Sequence, residues 1–118
     1  MTPAIYSIPD LYLNDTYNGV QFTLSDYETE VPIDLTNVDI KSEFRADSDT
    51  GTIVKTLIIG DGIEVTDAVN GVFRINAFTV DWTPGLYYYD IQCTFPGDVV
   101  KTYIRGTTSV IQDVTTTP

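Results

Sequence analysis

Apolar and polar positions alternate along this chain, most sharply between Trp82 and Arg105. After Gly85 every second residue (Tyr87, Tyr89, Ile91, Cys93, Phe95) is apolar or amphipathic, and the residues between them (Tyr88, Asp90, Gln92, Thr94) are mostly polar. A period of two sends successive side chains to opposite faces, so this run predicts a strand with one dry and one wet face. Pro96-Gly97-Asp98 then interrupts the pattern before a second β-rich run from Val99 to Arg105, which predicts a hairpin. Arg105-Gly106 predicts a kink, with the strand resuming from Thr107 to Ile111.

The same period recurs upstream. Val20, Phe22 and Leu24 alternate with Gln21, Thr23 and Ser25. From Asn37 to Asp47, Val38, Ile40, Ser42, Phe44 and Ala46 are expected to face inward, and Asp39, Lys41, Glu43 and Arg45 outward. Such a charged outer row reads as a solvated face whose ion pairs contribute roughly 0–1 kcal/mol each. Pro32 bars its segment from central pairing. Ile53 to Ile59 is an apolar run interrupted by Lys55 and Thr56, expected to be covered on part of both faces. Turns at Gly60-Asp61-Gly62 and Asn70-Gly71 flank a short strand at Ile63 to Val65, and Val72 to Ala77 leads through Phe78 to Trp82 into the hairpin. No segment sustains a helical period. About seven or eight short strands punctuated by turns predict an all-β chain, an antiparallel β-sandwich, with a small barrel as the alternative.

Residues 1–16 read as an N-terminal arm, 17–113 as the sandwich and 114–118 as a polar tail expected to fray. Pro3 and Pro9 discourage regular structure in the arm, yet Ile5, Tyr6, Ile8, Leu11, Tyr12 and Leu13 make it too apolar for a loose end. It either wraps its own domain and fills a gap at a sheet edge, or adds to a neighbouring subunit by strand addition. Those six apolar residues are the candidate partner-binding positions.

Composition narrows the function classes. The 118 residues fit one domain, and a hydrophobic share of 42% is that of a globular chain. A net charge of −11 gives no basic footprint for nucleic acid and disfavours an anionic membrane. The acidity reads as solubility, or as docking to a basic partner or a divalent cation. Cys93 is the only cysteine, which excludes an intrachain disulfide; on the dry face it reads as a buried small hydrophobe, in keeping with assembly in a reducing cytoplasm. No transmembrane run or secretory signal pattern is expected.

Histidine is absent, which removes Ser-His-Asp and Cys-His catalysis and His-bound zinc. No glycine-rich phosphate loop precedes a helix. Asp47 to Gly51 faintly echoes a calcium loop, but its glycine falls one place early and position twelve is Ile58 rather than a bidentate Glu. Asp61, Glu64 and Asp67 could hold a cation, although acidic loops are common. No catalytic residue, metal or cofactor is assigned. Trp82 and Tyr88 could form a sugar-stacking platform; the plainer reading has Trp82 plugging the end of the sandwich and Tyr88 resting on the outer face.

One resemblance runs through most of these strands. Pro32 to Arg45 (PIDLTNVDIKSEFR), Gly60 to Val65 (GDGIEV), Asn70 to Ile75 (NGVFRI), Pro84 to Gln92 (PGLYYYDIQ) and Ile104 to Thr115 (IRGTTSVIQDVT) follow one another in an order and spacing that resembles the N-terminal domain of upper baseplate proteins of tailed bacteriophages. The resemblance covers about Gly19 to Thr115. It implies an immunoglobulin-like sandwich and a non-enzymatic virion role, with contacts to other structural proteins in the tail, baseplate, fibre-attachment or neck region and oligomerisation within the particle. The chain departs from that family in its apolar arm and in the expected absence of a receptor-binding module after the domain. The alternatives are a carbohydrate-binding module using Trp82 and Tyr88, and a capsid decoration protein.

Overall fold

A computed structural model describes residues 4–112; the tail at 114–118 and Pro3 lie outside the described residues. The fold is built outward from the hairpin. Strand β10 (Gly85–Phe95) pairs antiparallel with β11 (Val99–Ile111), from Gly85 opposite Val110 to Phe95 opposite Val99. Gly97 and Asp98 take positive φ in the connecting turn (87° and 62°), which is the backbone that a tight reversal needs. On its other edge β10 pairs antiparallel with β5 (Asp39–Ala46). Val38, Ile40, Ser42 and Phe44 are buried, as their period predicts.

From β5 the sheet continues through β6 (Ile53–Ile59), β7 (Gly62–Asp67) and β8 (Val72–Ile75) to β4 (Val20–Thr23). On the far side of β11 lie the arm strands β1 (Ala4–Ile5) and β2 (Leu11–Tyr12), while β3 (Thr16–Tyr17) and β9 (Phe78–Thr79) form a separate ribbon. No helix occurs among the described residues. The expected all-antiparallel arrangement is corrected: the sheet is mixed. β1 and β2 run parallel to β11, and β6 runs parallel to β7. The second case has a local cause, because the chain jogs through Gly60 and Asp61 without reversing and only Ile58–Ile59 meet Gly62–Ile63.

The sheet curls so that its dry faces share one core. Phe44 of β5, Leu57 of β6, Ile63 of β7, Phe73 and Ile75 of β8, and Tyr89, Ile91 and Cys93 of β10 belong to the same buried cluster. The ends of the strand order touch, since Tyr6 meets Phe22 of β4 edge-on at 5.5 Å. At the centre Phe44 stacks on Tyr89 at 5.2 Å and leans on Trp82 at 5.1 Å. Such aromatic pairs are worth roughly 0.5–1.5 kcal/mol beyond their buried area.

The arm fills the gap that the curl leaves. Tyr6 and Ile8 donate their amides to the carbonyls of Arg105 and Thr107 (2.9 and 3.1 Å), and Leu13 to that of Ile111 (2.9 Å). The Tyr89 hydroxyl donates to the Tyr6 carbonyl, and Thr108 Oγ1 donates to the Pro9 carbonyl. Gly106 therefore has a different role from the expected kink. A Cβ there would lie 1.9 Å from the Tyr6 carbonyl oxygen, so glycine is what lets the arm's backbone cross β11. The irregularity in β11 sits earlier, where Ile91 faces Ile104 but Gln92 faces Thr102, leaving Tyr103 as the extra residue of a bulge.

Two outcomes follow for urea denaturation. Gly106→Ala should lose about 1–3 kcal/mol, because either the arm or β11 must shift to admit the methyl group. Leu11→Ala should cost about 2–5 kcal/mol, whereas the exposed Ile5→Ala should stay within about 0.5 kcal/mol.

Candidate functional site

The wet face of β5, β10 and β11 carries rows of polar side chains beside an open hollow. Registers fix them in rows across the three strands: Arg45, Tyr88, Thr107; then Glu43, Asp90, Arg105; then Lys41, Gln92, Thr102. A groove of about 750 Å³ lies over these rows, with Lys41 outside its lining. Ile5 and Ser7 of the arm wall it beyond β11, and Asp49 and Thr50 of the β5–β6 loop wall it beyond β5. The arm thus completes a site as well as a core.

Charges in the groove are unevenly paired. Glu43 takes both nearby cations of its own strand, Lys41 at 3.5 Å and Arg45 at 3.3 Å. Arg45 is held further by donating to the Gly51 carbonyl at 2.9 Å. Asp90 stands directly opposite Glu43 and opposite Arg105. Like charges facing across a ladder repel. Burial raises the Asp90 pKa above the ordinary carboxylate value, Glu43 raises it further, and Arg45 partly opposes them.

The sequence-derived candidates divide. Trp82 is buried among Phe44, Phe78 and Tyr87, whereas Tyr88 is half-buried on the opposite, wet face. The two rings therefore cannot form one sugar platform, and Trp82 plugs the core. In the arm, Ile8 and Leu11 are buried and Tyr6 and Leu13 pack against the same core; Ile5 (73% exposed) and Tyr12 (46%) remain outside. The arm docks onto its own domain. Among the described residues no three acidic or cysteine side chains converge as a metal site, and Asp61, Glu64 and Asp67 therefore form no such set. Cys93 is fully buried, and that burial pushes its thiol pKa up to about 11.

One surface was missed. β6 buries Leu57 but leaves Ile53, Ile58 and Ile59 about two-fifths exposed or more. It pairs with β5 along Ile53–Ile58 yet meets β7 only at Ile58–Ile59, so residues 53–57 present an edge that pairs with no strand among the described residues. Its apolar run reads as a strand covered on part of both faces, and only the topology shows that β7 turns away. Lys55 is the exception along the run, because its ammonium sits 5.1 Å over the Phe78 ring.

Native Cys93 should resist an aromatic disulfide reagent at neutral pH and react fully once the protein is unfolded, as followed by thiolate release. Asp90 gives a pH signature. The folded state holds its proton more tightly than the unfolded chain, so its contribution to stability is present below the ordinary carboxylate pKa and lost as pH rises through the raised one. Asp90→Asn should flatten the stability curve in that acidic window and exceed the wild type above it, measured by urea midpoints across pH.

No protein-family model matches the chain and no curated protein matches it.

Proposed function

We propose that the chain is a non-enzymatic structural domain of a tailed-phage virion, an immunoglobulin-like sandwich that joins subunits in the tail, baseplate, fibre-attachment or neck region. The ordered motifs between Pro32 and Thr115 support this reading, and so do features of the fold. The first strand lies parallel to the last and ties the two chain ends of the domain together. At the start of β10 the Tyr87 hydroxyl donates back to the Thr83 carbonyl, a bond of the tyrosine-corner kind found near the equivalent strand of immunoglobulin-like domains.

The observation that carries the assembly role is the β6 edge. A seven-residue strand rich in β-branched residues, with Ile53, Ile58 and Ile59 exposed and its edge free along residues 53–57, invites pairing with another chain. Soluble proteins usually blunt such edges with charge or proline. Here Lys55 is the one charge, and its ammonium is turned onto Phe78. A neighbouring subunit covering this edge accounts for its persistence. The arm then serves mainly to close its own domain, leaving Ile5 and Tyr12 as its outward contacts. A capsid decoration protein would use the same surface at a different place in the particle.

An Ile53→Lys/Thr56→Lys double variant, on the stretch with one edge unpaired, tests this. Because both side chains are exposed, it should stay folded, with a stability change within about 1 kcal/mol. It should also be lost from purified particles, and its self-association in sedimentation should fall. Incorporation at the wild-type level would remove β6 as the contact.

A further inference from the structure

We propose that the groove on the wet face of β5, β10 and β11 binds a neutral oligosaccharide, with one sugar ring stacked on Tyr88. This site is independent of the particle reading, since it would serve a binding module of any assembly.

The groove has the size of a ligand site, about 750 Å³, with the aromatic side chain of Tyr88 among its lining and polar groups around it. What selects the ligand is which polar groups are already occupied. Glu43 and Arg45 hold one another, and Arg45 also holds the Gly51 carbonyl. Asp90, Arg105 and Gln92 differ. Among the described residues no hydrogen bond or ion pair engages the Asp90 carboxylate, the Arg105 guanidinium or the Gln92 amide, although Asp90 and Arg105 are in register on adjacent strands.

The open set is therefore an acceptor, a donor fork and an amide that does both. A hydroxyl both donates and accepts, so adjacent hydroxyls of one sugar can satisfy Asp90 and Arg105 together. A purely anionic ligand would meet Glu43, Asp49 and Asp90 within a chain of net charge −11, and a purely cationic one would meet Arg45 and Arg105. With three carboxylates against two guanidiniums the groove is close to neutral, and a neutral ligand that both donates and accepts matches its open groups. Tyr88 supplies the apolar surface that the less polar face of a pyranose needs, with its hydroxyl left to bond at the rim. The half-buried Asp90 carboxylate, repelled by Glu43, gains the donors it lacks when such a ligand arrives.

The test is titration of the full chain, followed by amide chemical shifts, with neutral oligosaccharides of hexose and N-acetylhexosamine units. A sialylated glycan and an Arg/Lys-rich peptide serve as comparisons. Saturable shifts confined to β5, β10 and β11, with neutral glycans only, are expected, at a Kd of about 10 μM–1 mM. Tyr88→Ala should weaken binding about tenfold or more, and Asp90→Asn should weaken it too; Tyr27→Ala, on a fully exposed loop, should not. Thermal melts of each variant check folding, and Gln92→Ala stands in for Tyr88→Ala if that variant fails to fold. The proposal is overturned if no neutral oligosaccharide in the panel binds, if only the peptide or the sialylated glycan binds, or if binding survives both Tyr88→Ala and Gln92→Ala in folded protein.

Discussion

The register of β10 is the constraint on which the rest of the molecule depends. Its inward row, Tyr87, Tyr89, Ile91 and Cys93, is almost fully buried, and its outward row, Tyr88, Asp90 and Gln92, lines the groove. Because side chains alternate strictly, a slip of one residue against β5 or β11 would exchange the two rows. It would set Asp90 in the core against Phe44 and put Tyr89 in water. The penalty for burying that carboxylate adds to the gain from burying the rings in holding the register. Core and groove are thus two consequences of one alignment, fixed on both edges by eleven pairs with β11 and eight with β5.

Tyr89 extends that alignment to the arm. Its ring stacks on Phe44 while its hydroxyl reaches the Tyr6 carbonyl, so one side chain ties β5, β10 and the segment after β1. Gly106 makes the approach possible by offering no Cβ beneath Tyr6. A curled sheet with unlike ends leaves a seam, and an apolar arm bonded to the last strand closes it without lengthening the domain. Ser7 and Ile5 then rise beside β11 as one wall of the groove.

Local patterning made the strands legible, and non-local geometry hid the rest. Period two placed Ile40, Ser42 and Phe44 of β5, and Val38 just before it, on the correct face because a half-buried strand records its environment residue by residue. Trp82 and Tyr88 were equally visible as aromatics, but which of them reaches solvent depends on where the strand begins, and Trp82 precedes β10. The arm's choice between its own sheet and a neighbour was open because Ile8 and Leu11 look the same in either setting. Gly106 was visible only as a flexible residue; that another backbone passes over it is a fact of topology. The groove had no sequence signal either, since Asp90 and Arg105 are fifteen positions apart and meet only through the hairpin. For β6 the apolar run was read correctly as strand, yet its coverage depended on how β7 leaves the Gly60-Asp61 jog.

The two outward features impose different demands, and the sheet separates them. The groove lies over β5, β10 and β11, the most extensively paired part of the sheet, so its polar groups are held in place by ladders on both sides. Pre-ordered groups lose little freedom when a ligand binds. The β6 edge lies where pairing thins to two residues at the β7 jog. A strand with an unpaired side can accept a partner's backbone without first giving up bonds of its own. Rigid recognition on one face and an open edge at the thinnest ladder therefore coexist without competing, because β5 belongs to both and its register is already fixed by β10.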